Sequence, residues 1–270
     1  MSILKKAVTI FAVLFVLEVL IQTGLVAEEK IKAVTVIEKS HLAFFYPGND
    51  LKIRVVMRLI NKEGKERIRE LTMIRKNYDK GQQKYFIYFH NPADVRSTTF
   101  MVWKYPQKND SRWLFIPAIK LVTRISARDS RSSFVGSDFS YEDISGRDVG
   151  ADTHSLLREE KVEGKNCYVV ESVPKNEADY DKKIAWIDKA NFLPLREKYY
   201  DLRGELYKVF TVEEIREIGG FWTVTKRTMK NVKSGHRTEV TFHEVKYNIE
   251  ISNSLFTERY LRRPSQRWIK

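Results

Sequence analysis

The chain has 270 residues, which is enough for one large domain or two small ones. Its 48 lysines and arginines outnumber 35 acidic residues, so the formal net charge is +13. This surplus favours anionic lipid surfaces, nucleic acid or acidic proteins as partners, although the interspersed acids are also typical of an ordinary soluble surface. The single cysteine, Cys167, excludes an internal disulfide, and we expect it to be a buried, inert thiol.

The N-terminus has the pattern of a secretory signal. Lys5 and Lys6 precede an apolar run over residues 7–21, and the small residue Ala27 precedes a polar stretch. This pattern predicts a signal peptide over residues 1–27, cleaved after Ala27, and one mature domain over residues 28–270. The alternative is an uncleaved membrane anchor, but the run is shorter than the roughly 20 apolar residues of a spanning helix and contains Glu18. An exported protein rarely meets nucleic acid, so a membrane surface or an acidic partner is favoured.

The rest of the chain is a series of short β-type runs. Residues 28–41 have the spacing of a short helix, and residues 51–60 then alternate as a strand before a hairpin turn at residues 61–65. Further strands are predicted at residues 67–78, 84–89, 97–105, around Trp113, and at 154–161, 166–173, 183–188, 193–200, 205–215, 221–229 and 237–247. Residues 254–261 predict a short helix or turn, and residues 262–270 a loose basic tail.

About eleven strands at hairpin spacing, without a βαβ rhythm, predict a mainly β (α+β) fold. We expect a single curved antiparallel sheet that is partly closed into a barrel. The strands at residues 84–89 and 97–105 are apolar on both faces, whereas an antiparallel sheet usually keeps one face wet. Both faces should therefore be covered; a helix could cover one side, and an apolar ligand could occupy the other.

Tests for catalytic and metal-binding motifs are negative. The five histidines lack zinc-ligand spacing, and no nucleophile elbow, phosphate loop or dinucleotide fingerprint occurs. Ser137 beside Asp138 lacks a placed base, and either residue is better explained as the cap of a short helix over residues 139–144. The acids Asp138, Glu142, Asp143, Asp148 and Asp152 do not fit a calcium loop, so we expect a cap and solvated charges. The sequence predicts no enzyme, no metal and no cofactor.

Aromatic residues are the stronger functional signal. They fall in neighbouring strands and in the segment after them: Phe86, Tyr88, Phe100, Trp103, Trp113, Phe115, Phe134, Phe139 and Tyr141. They form either an ordinary core or an apolar cavity that residues 134–144 help to cover. The nearby cations Lys120, Arg124, Arg128 and Arg131 could contact a lipid headgroup or pair with the acids that follow.

Several motifs resemble a known family. WLFIPAIKLVTRI (residues 113–125), SSFVGSDFSYEDI (132–144) and FHNPADVRSTTF (89–100) resemble the outer-membrane lipoprotein-sorting proteins, a group of LolA-like periplasmic proteins. Residues 186–206 and the closing residues 255–257 resemble its later parts. The resemblance implies an incomplete barrel whose concave side is covered by short helices, and an acyl chain carried in an apolar cavity. It implies that residues 113–117, including Pro117, line this cavity and that residues 134–141 cover it.

The functional expectation is therefore a periplasmic carrier that moves a lipid or a lipoprotein acyl chain between membranes. Its expected partners are the acyl chain, an inner-membrane exporter or outer-membrane acceptor, and, transiently, a membrane surface, but no nucleic acid. The alternative is an accessory or sensor module that docks on an envelope complex, such as an inner-membrane exporter, and transports nothing.

Overall fold

A computed structural model describes residues 31–106, 108–176 and 178–270, and the predicted signal peptide over residues 1–27 lies outside them. Residues Lys32–Lys270 form one compact unit. The unit is built around one antiparallel sheet of thirteen strands in the order β6-β5-β4-β3-β2-β1-β13-β12-β11-β10-β9-β8-β7. The expectation of a mainly β fold with one large, incompletely closed antiparallel sheet is confirmed.

The strands follow one another along the chain with short connections, except for residues 126–151 between β6 and β7. Their bounds are β1 Asp50–Ile60, β2 Glu66–Asn77, β3 Gln83–Asn91, β4 Thr99–Lys104, β5 Ser111–Ile116, β6 Leu121–Ile125, β7 Asp152–Val162, β8 Lys165–Pro174, β9 Lys182–Asp188, β10 Pro194–Tyr200, β11 Leu206–Ile218, β12 Phe221–Asn231 and β13 Arg237–Tyr247. The pairing of β1 with β13 joins the first and last strands near the middle of the sheet, so β6 and β7 are its two edges.

The described residues form thirteen strands, slightly more than the predicted eleven or so, and β6 is a strand that the sequence pattern missed. A 3₁₀ turn over Pro117–Ile119, followed by Lys120 in the left-handed region, reverses the chain after β5. β6 then pairs with β5 from Arg112 opposite Ile125 to Ile116 opposite Leu121. Because β6 is an edge strand with most side chains exposed, it lacks the apolar alternation that marks an inner strand.

In the described part of the chain, four α-helices accompany the sheet: α1 Ala33–Phe45, α2 Tyr141–Ser145, α3 Glu258–Arg262 and α4 Gln266–Ile269. Among the described helices none is long and apolar enough to cross a membrane. The first helix extends to Phe45 rather than ending at residue 41. Phe44 and Phe45 belong to its last turn because Phe44 packs edge-on against Phe210 of β11 and Phe45 packs against His41.

The sheet has two apolar faces, each with its own cover. The inner face packs against α1 and residues 134–145, and its core includes Leu71, Ile87 and Phe100. The outer face packs against residues 249–269, and its core includes Ile74 and Phe86. Neighbours in a strand point to opposite faces, so β3 and β4 supply large apolar residues to both cores. The inference that both faces are covered is confirmed.

The C-terminal residues correct the prediction of a loose basic tail over residues 262–270. Ile269 is only 1% exposed, and Trp268 packs on the same outer-face core. The chain also supplies acceptors to the sheet: the Thr99 hydroxyl donates to the carbonyl of Leu261 at 2.8 Å, and the Thr72 hydroxyl donates to that of Ile269 at 2.8 Å. The segment is therefore a fixed part of the fold, which its basic composition concealed.

We predict that Leu261→Ala lowers the free energy of unfolding by about 2–5 kcal/mol, because Leu261 is fully buried on the outer face and its loss leaves a cavity. Urea denaturation monitored by circular dichroism measures this change. The matched control is Arg259→Ala in the same helix, whose exposed side chain should change stability by less than about 0.5 kcal/mol. Equal, small effects of both substitutions would show that the segment is loosely attached.

Candidate functional site

Two adjoining cavities lie between α1 and the inner face. Cavity A has a volume of about 110 Å³ and is lined by α1, residues 139–149 and strands β7–β12. Cavity B has a volume of about 80 Å³ and is lined by α1 and by strands β1–β3, β12 and β13. Phe44, Phe45 and Arg227 line both cavities and separate them. Since strands from distant parts of the sheet reach the same helix, the sheet curves around α1.

Helix α1 is held to the sheet mainly by packing. Val36 is fully buried and Phe44 contacts Phe210, but residues 33–44 make no side-chain hydrogen bond or ion pair with any other described residue. Polar anchoring begins at the last turn, where the Arg75 guanidinium donates to the carbonyls of Phe45 and Pro47. The Gln83 amide also donates to the Phe45 carbonyl, at 2.9 Å. The helix is thus fixed by hydrogen bonds at its C-terminal end and otherwise rests on apolar contacts and on two cation–π contacts, Lys39 with Phe192 and Arg227 with Phe44.

The segment over residues 134–145, by contrast, is tied down at several points. Phe134 is buried against Phe100, with ring centroids 5.4 Å apart, and against Tyr141 at 5.5 Å. The Thr238 hydroxyl of β13 donates to Asp138 at 2.7 Å and accepts from the Asp138 amide at 3.0 Å. The contacts of this segment therefore extend from β4 to β13, and the segment is a firmly bonded cover over part of the inner face.

The cap of the helix in this segment differs from the prediction. The N-cap is Ser140, whose hydroxyl accepts from the Asp143 amide while the Asp143 carboxylate accepts from the Ser140 amide. This reciprocal capping box begins α2 at Tyr141. Asp138 instead binds β13, and the Ser137 hydroxyl donates to the carbonyl of Phe134 at 2.8 Å. Ser137 and Asp138 are therefore structural residues of the cover, although neither caps the helix.

The acids around cavity A are paired rather than solvated, which corrects the expectation of loop charges. Asp143 accepts from Lys208 at 3.2 Å, and Glu197 accepts from Lys183 at 2.8 Å. Asp152 accepts from Arg147 at 2.8 Å. Among the described residues, no group of three or more His, Cys, Asp or Glu is arranged to hold a metal ion.

Burial and these pairs set the protonation of cavity A. Burial raises the pKa of Glu142, and the nearby Arg147 only partly offsets this. Burial also acts to raise the pKa of Asp143, but the attraction of Lys208 and the bonds to Ser140 outweigh it, so that pKa is lowered. The pKa of His41 on α1 falls to about 3, chiefly through burial and further through the positive charge of Lys104. The His41 side chain, which extends from α1 toward cavity A, is thus neutral at pH 7.

Cavity B differs in its electrostatics. Its wall is largely apolar, with Leu51, Ile53 and Met73 as examples, and no carboxylate lies among its lining residues. Its charged groups are the guanidiniums of Arg75 and Arg227. Burial lowers the pKa of Arg227 to about 10, so the group still carries its charge at neutral pH.

The predicted aromatic set is divided between the two faces. Phe100, Phe134, Phe139 and Tyr141 are buried in the inner-face core, and Phe139 also lines cavity A. The other predicted residues lie elsewhere: Phe86, Tyr88, Trp103, Trp113 and Phe115 belong to the outer-face cluster, and Pro117 begins the turn between β5 and β6. The prediction that all of them line one cavity is corrected, because β3, β4 and β5 alternate their side chains between faces.

The predicted headgroup residues also lie away from the cavities. Arg124 is exposed on β6, Arg128 is exposed after it, and Arg131 is half-buried in the following 3₁₀ turn. The two cations that line cavity B, Arg75 and Arg227, were missed. The sequence contained a signal for both. Arg75 is two residues from Met73 and Arg227 is two residues from Met229, and residues two apart in a strand point to the same face of the sheet, here the inner face.

Comparisons with known proteins agree with this architecture. A family model described as an uncharacterized protein matches residues 81–263, which is more than half of the chain. The structure of a DUF1329 family protein from Desulfovibrio piger is 31% identical, with a TM-score of 0.77 over 85% of this chain and 95% of that one. No protein of curated function matches the sequence.

Two further structures extend the likeness. A domain assigned to the outer membrane lipoprotein-sorting proteins of Vibrio parahaemolyticus is 26% identical, with a TM-score of 0.80 over 86% of this chain and 98% of that one. A LolA superfamily protein from Nitrosomonas europaea shares the fold at 21% identity, with a TM-score of 0.68 over 85% of this chain and 99% of that one. The chain belongs to the DUF1329 family, and its fold is similar to those of the outer-membrane lipoprotein-sorting and LolA-like structures, which the motifs over residues 89–144 resemble.

We predict that Gly146→Ala destabilises the protein by about 2–4 kcal/mol and loosens α1. The new methyl group would lie 2.7 Å from the Phe45 ring, at a backbone φ of +78° that suits glycine. The control is Gly204→Ala, which has a similar φ of +75° but no atom within 4 Å, so we expect a loss of about 1 kcal/mol. Urea denaturation compares the two, and equal losses would mean that Phe45 does not press on this segment.

We also predict a stability loss in acid that depends on His41. In the unfolded chain the imidazole titrates near pH 6.5, but in the folded chain its pKa is about 3. Between these values the unfolded state binds a proton that the folded state does not, so this contribution is complete above pH 6.5 and is lost as the pH falls. His41→Gln should reduce the stability lost between pH 6.5 and 4.5 by about 1–2 kcal/mol.

The measurement is the urea midpoint as a function of pH, with His243→Gln on the exposed part of β13 as the control. A His41→Gln profile that is parallel to the wild-type profile would contradict a buried, neutral His41.

Proposed function

We propose that this protein is a periplasmic carrier that binds the acyl chain of a lipid or lipoprotein on its inner face, beneath α1. The observation that carries the proposal is the pair of adjoining cavities under a helix whose residues 33–44 are held by apolar packing and two cation–π contacts, without a side-chain hydrogen bond or ion pair to any other described residue. The family relationship and the export signal in the sequence support a role in the cell envelope. The proposed partners are the acyl chain, an inner-membrane exporter or an outer-membrane acceptor, and, transiently, the membrane surface. Nucleic acid is not among them.

The volume of the cavities defines what binding requires. At about 110 and 80 Å³, they are smaller even together than the roughly 300 Å³ at which small-molecule pockets begin. A long acyl chain therefore enters only if α1 moves outward and exposes the inner-face core. Each buried methylene of the chain would contribute about 0.8 kcal/mol, so the chain replaces the apolar contacts that α1 gives up.

The rest of the inner face is suited to remain in place during such a movement. Residues 134–145 are fixed to β13 by Asp138 and to β11 by the pair of Asp143 with Lys208. Removing one partner of a buried pair of this kind typically costs about 3–5 kcal/mol. The segment therefore forms a fixed wall, and α1, anchored through Phe45 and Pro47, is the element that opens.

An exposed hairpin offers a surface for transient membrane contact. Ile119 and Leu121, at the turn between β5 and β6, are 63% and 50% exposed. Lys120 lies between them and Arg124 is exposed three residues after Leu121. Apolar side chains flanked by cations suit the anionic surface of a membrane, where each nearby cation is worth about 1 kcal/mol. In this proposal the predicted headgroup cation Arg124, together with Lys120, contacts lipid headgroups of the membrane surface rather than the headgroup of the bound lipid.

We predict that the purified protein binds the uncharged apolar probe N-phenyl-1-naphthylamine, and that Ala43→Phe weakens binding at least tenfold. Ala43 lies on α1 and lines cavity B, so a benzyl group there occupies the space that the ligand needs. The matched control is Val34→Phe on the same helix, because Val34 is 42% exposed and lines neither cavity. Fluorescence titration gives both affinities, and circular dichroism checks folding.

Wild-type protein that fails to bind the probe, or equal binding by both variants, would contradict the proposal. Native mass spectrometry of protein purified from its own cells gives an independent check, since a carrier should retain lipid until it is extracted with solvent.

A further inference from the structure

Arg227 has an unusual environment. It lies on β12 in the wall shared by cavities A and B, and the rings of Phe44, Phe139 and Phe242 lie 5.4, 5.2 and 5.0 Å from its guanidinium carbon. Its Nε atom is buried without a hydrogen-bond partner. Arg227 makes no hydrogen bond or ion pair with any described residue.

Other buried arginines of the fold differ from Arg227 in this respect. Arg69, Arg75 and Arg112 also have a buried, unpartnered Nε, but each donates through its terminal nitrogens. Arg69 donates to the carbonyl of Val135 and Arg112 donates to Asp110. The aromatic rings around Arg227 attract its positive charge, but they offer no lone-pair acceptor for its five N–H groups. The guanidinium therefore has donors available for a ligand.

The surroundings of Arg227 favour a negatively charged ligand group. Cavity B contributes a second guanidinium, Arg75, and no carboxylate. The nearest acids on the cavity A side are already engaged, Asp143 by Lys208 and Glu197 by Lys183. The cavity B side of the junction thus has excess positive charge in a largely apolar wall, where a charge is poorly screened by water.

We propose that Arg227, supported by Arg75, binds the anionic head group of the amphiphile, a carboxylate or a phosphate, at the junction of cavities A and B. This inference rests on the proposed function, because it assumes that an acyl chain occupies the space beneath α1. A carboxylate or phosphate accepts two parallel N–H bonds from one guanidinium, whereas an alcohol leaves most donors unsatisfied. The preferred cargo is then an anionic amphiphile rather than a neutral lipid.

The test is displacement of N-phenyl-1-naphthylamine from the full mature protein by four amphiphiles with the same chain. Hexadecanoic acid, hexadecyl phosphate, hexadecanol and hexadecyltrimethylammonium are compared at pH 7.4, below their micelle concentrations. We expect one or both anions to displace the probe at least tenfold more tightly than the alcohol, and the cation to be weakest. The ratio between the two anions identifies the head group.

Two substitutions assign this preference to Arg227. Arg227→Gln should reduce the advantage of the anion over the alcohol, taken as the ratio of their affinities for the same variant, to less than threefold. Arg227→Lys, which keeps the charge, should retain part of the advantage. The control is Lys226→Gln, which removes the same charge from the adjacent, exposed residue of β12 and should change nothing.

The outcomes separate the two proposals. If the probe does not bind the wild type, the carrier function fails and the anion site fails with it. If the probe binds but the anions have no advantage, or if Arg227→Gln keeps the wild-type advantage, the anion site is wrong and the carrier function stands. Arg227→Gln that lowers only the unfolding midpoint, with the anion preference intact, would show that the arginine is structural.

Discussion

The architecture depends on one constraint: the strands near one edge of the sheet are apolar on both faces. Phe86 of β3 and Phe100 of β4 are both fully buried, yet they belong to cores on opposite faces. Burying such a side chain contributes roughly 1.5–3 kcal/mol, so exposure of either face would forfeit many times that amount. The sheet cannot leave one face to water as antiparallel sheets commonly do. The sheet therefore needs two covers: α1 and residues 134–145 supply the inner one, and residues 249–269 supply the outer one.

The two covers differ in how they are attached, and this difference is the basis of the functional account. The outer cover is bonded to the sheet through the carbonyls of Leu261 and Ile269 as well as through apolar contacts. The inner cover combines a fixed part, residues 134–145, with α1, whose polar anchors are confined to its C-terminal end. An acyl chain can substitute for packing, but it cannot substitute for hydrogen bonds. The face beneath α1 is therefore the place where a chain can replace part of the protein.

The sequence contained enough information for the sheet but not for the site. Alternation within β1 and double-sided apolar runs in β3 and β4 predict strands and covered faces, because both depend on neighbours in the chain. Which aromatics share a space depends on distant segments, and so Trp113 could not be assigned to the outer face without knowing that residues 249–269 pack there. The basic tail concealed Ile269 in the same way. Arg227 was overlooked because β12 also carries Lys226 and Lys230, and the sequence does not show which of these cations is buried without a partner.

The central claim is that α1 is the removable cover of the inner face. Hydrogen–deuterium exchange of the mature protein, with and without saturating hexadecanoic acid, tests it most directly because it reports on each segment separately. The account predicts that the exchange rates of amides in residues 33–45 change at least tenfold on binding, while those in residues 134–145 and 258–269 stay within twofold. Binding that leaves residues 33–45 unchanged, or that alters mainly residues 258–269, would contradict it.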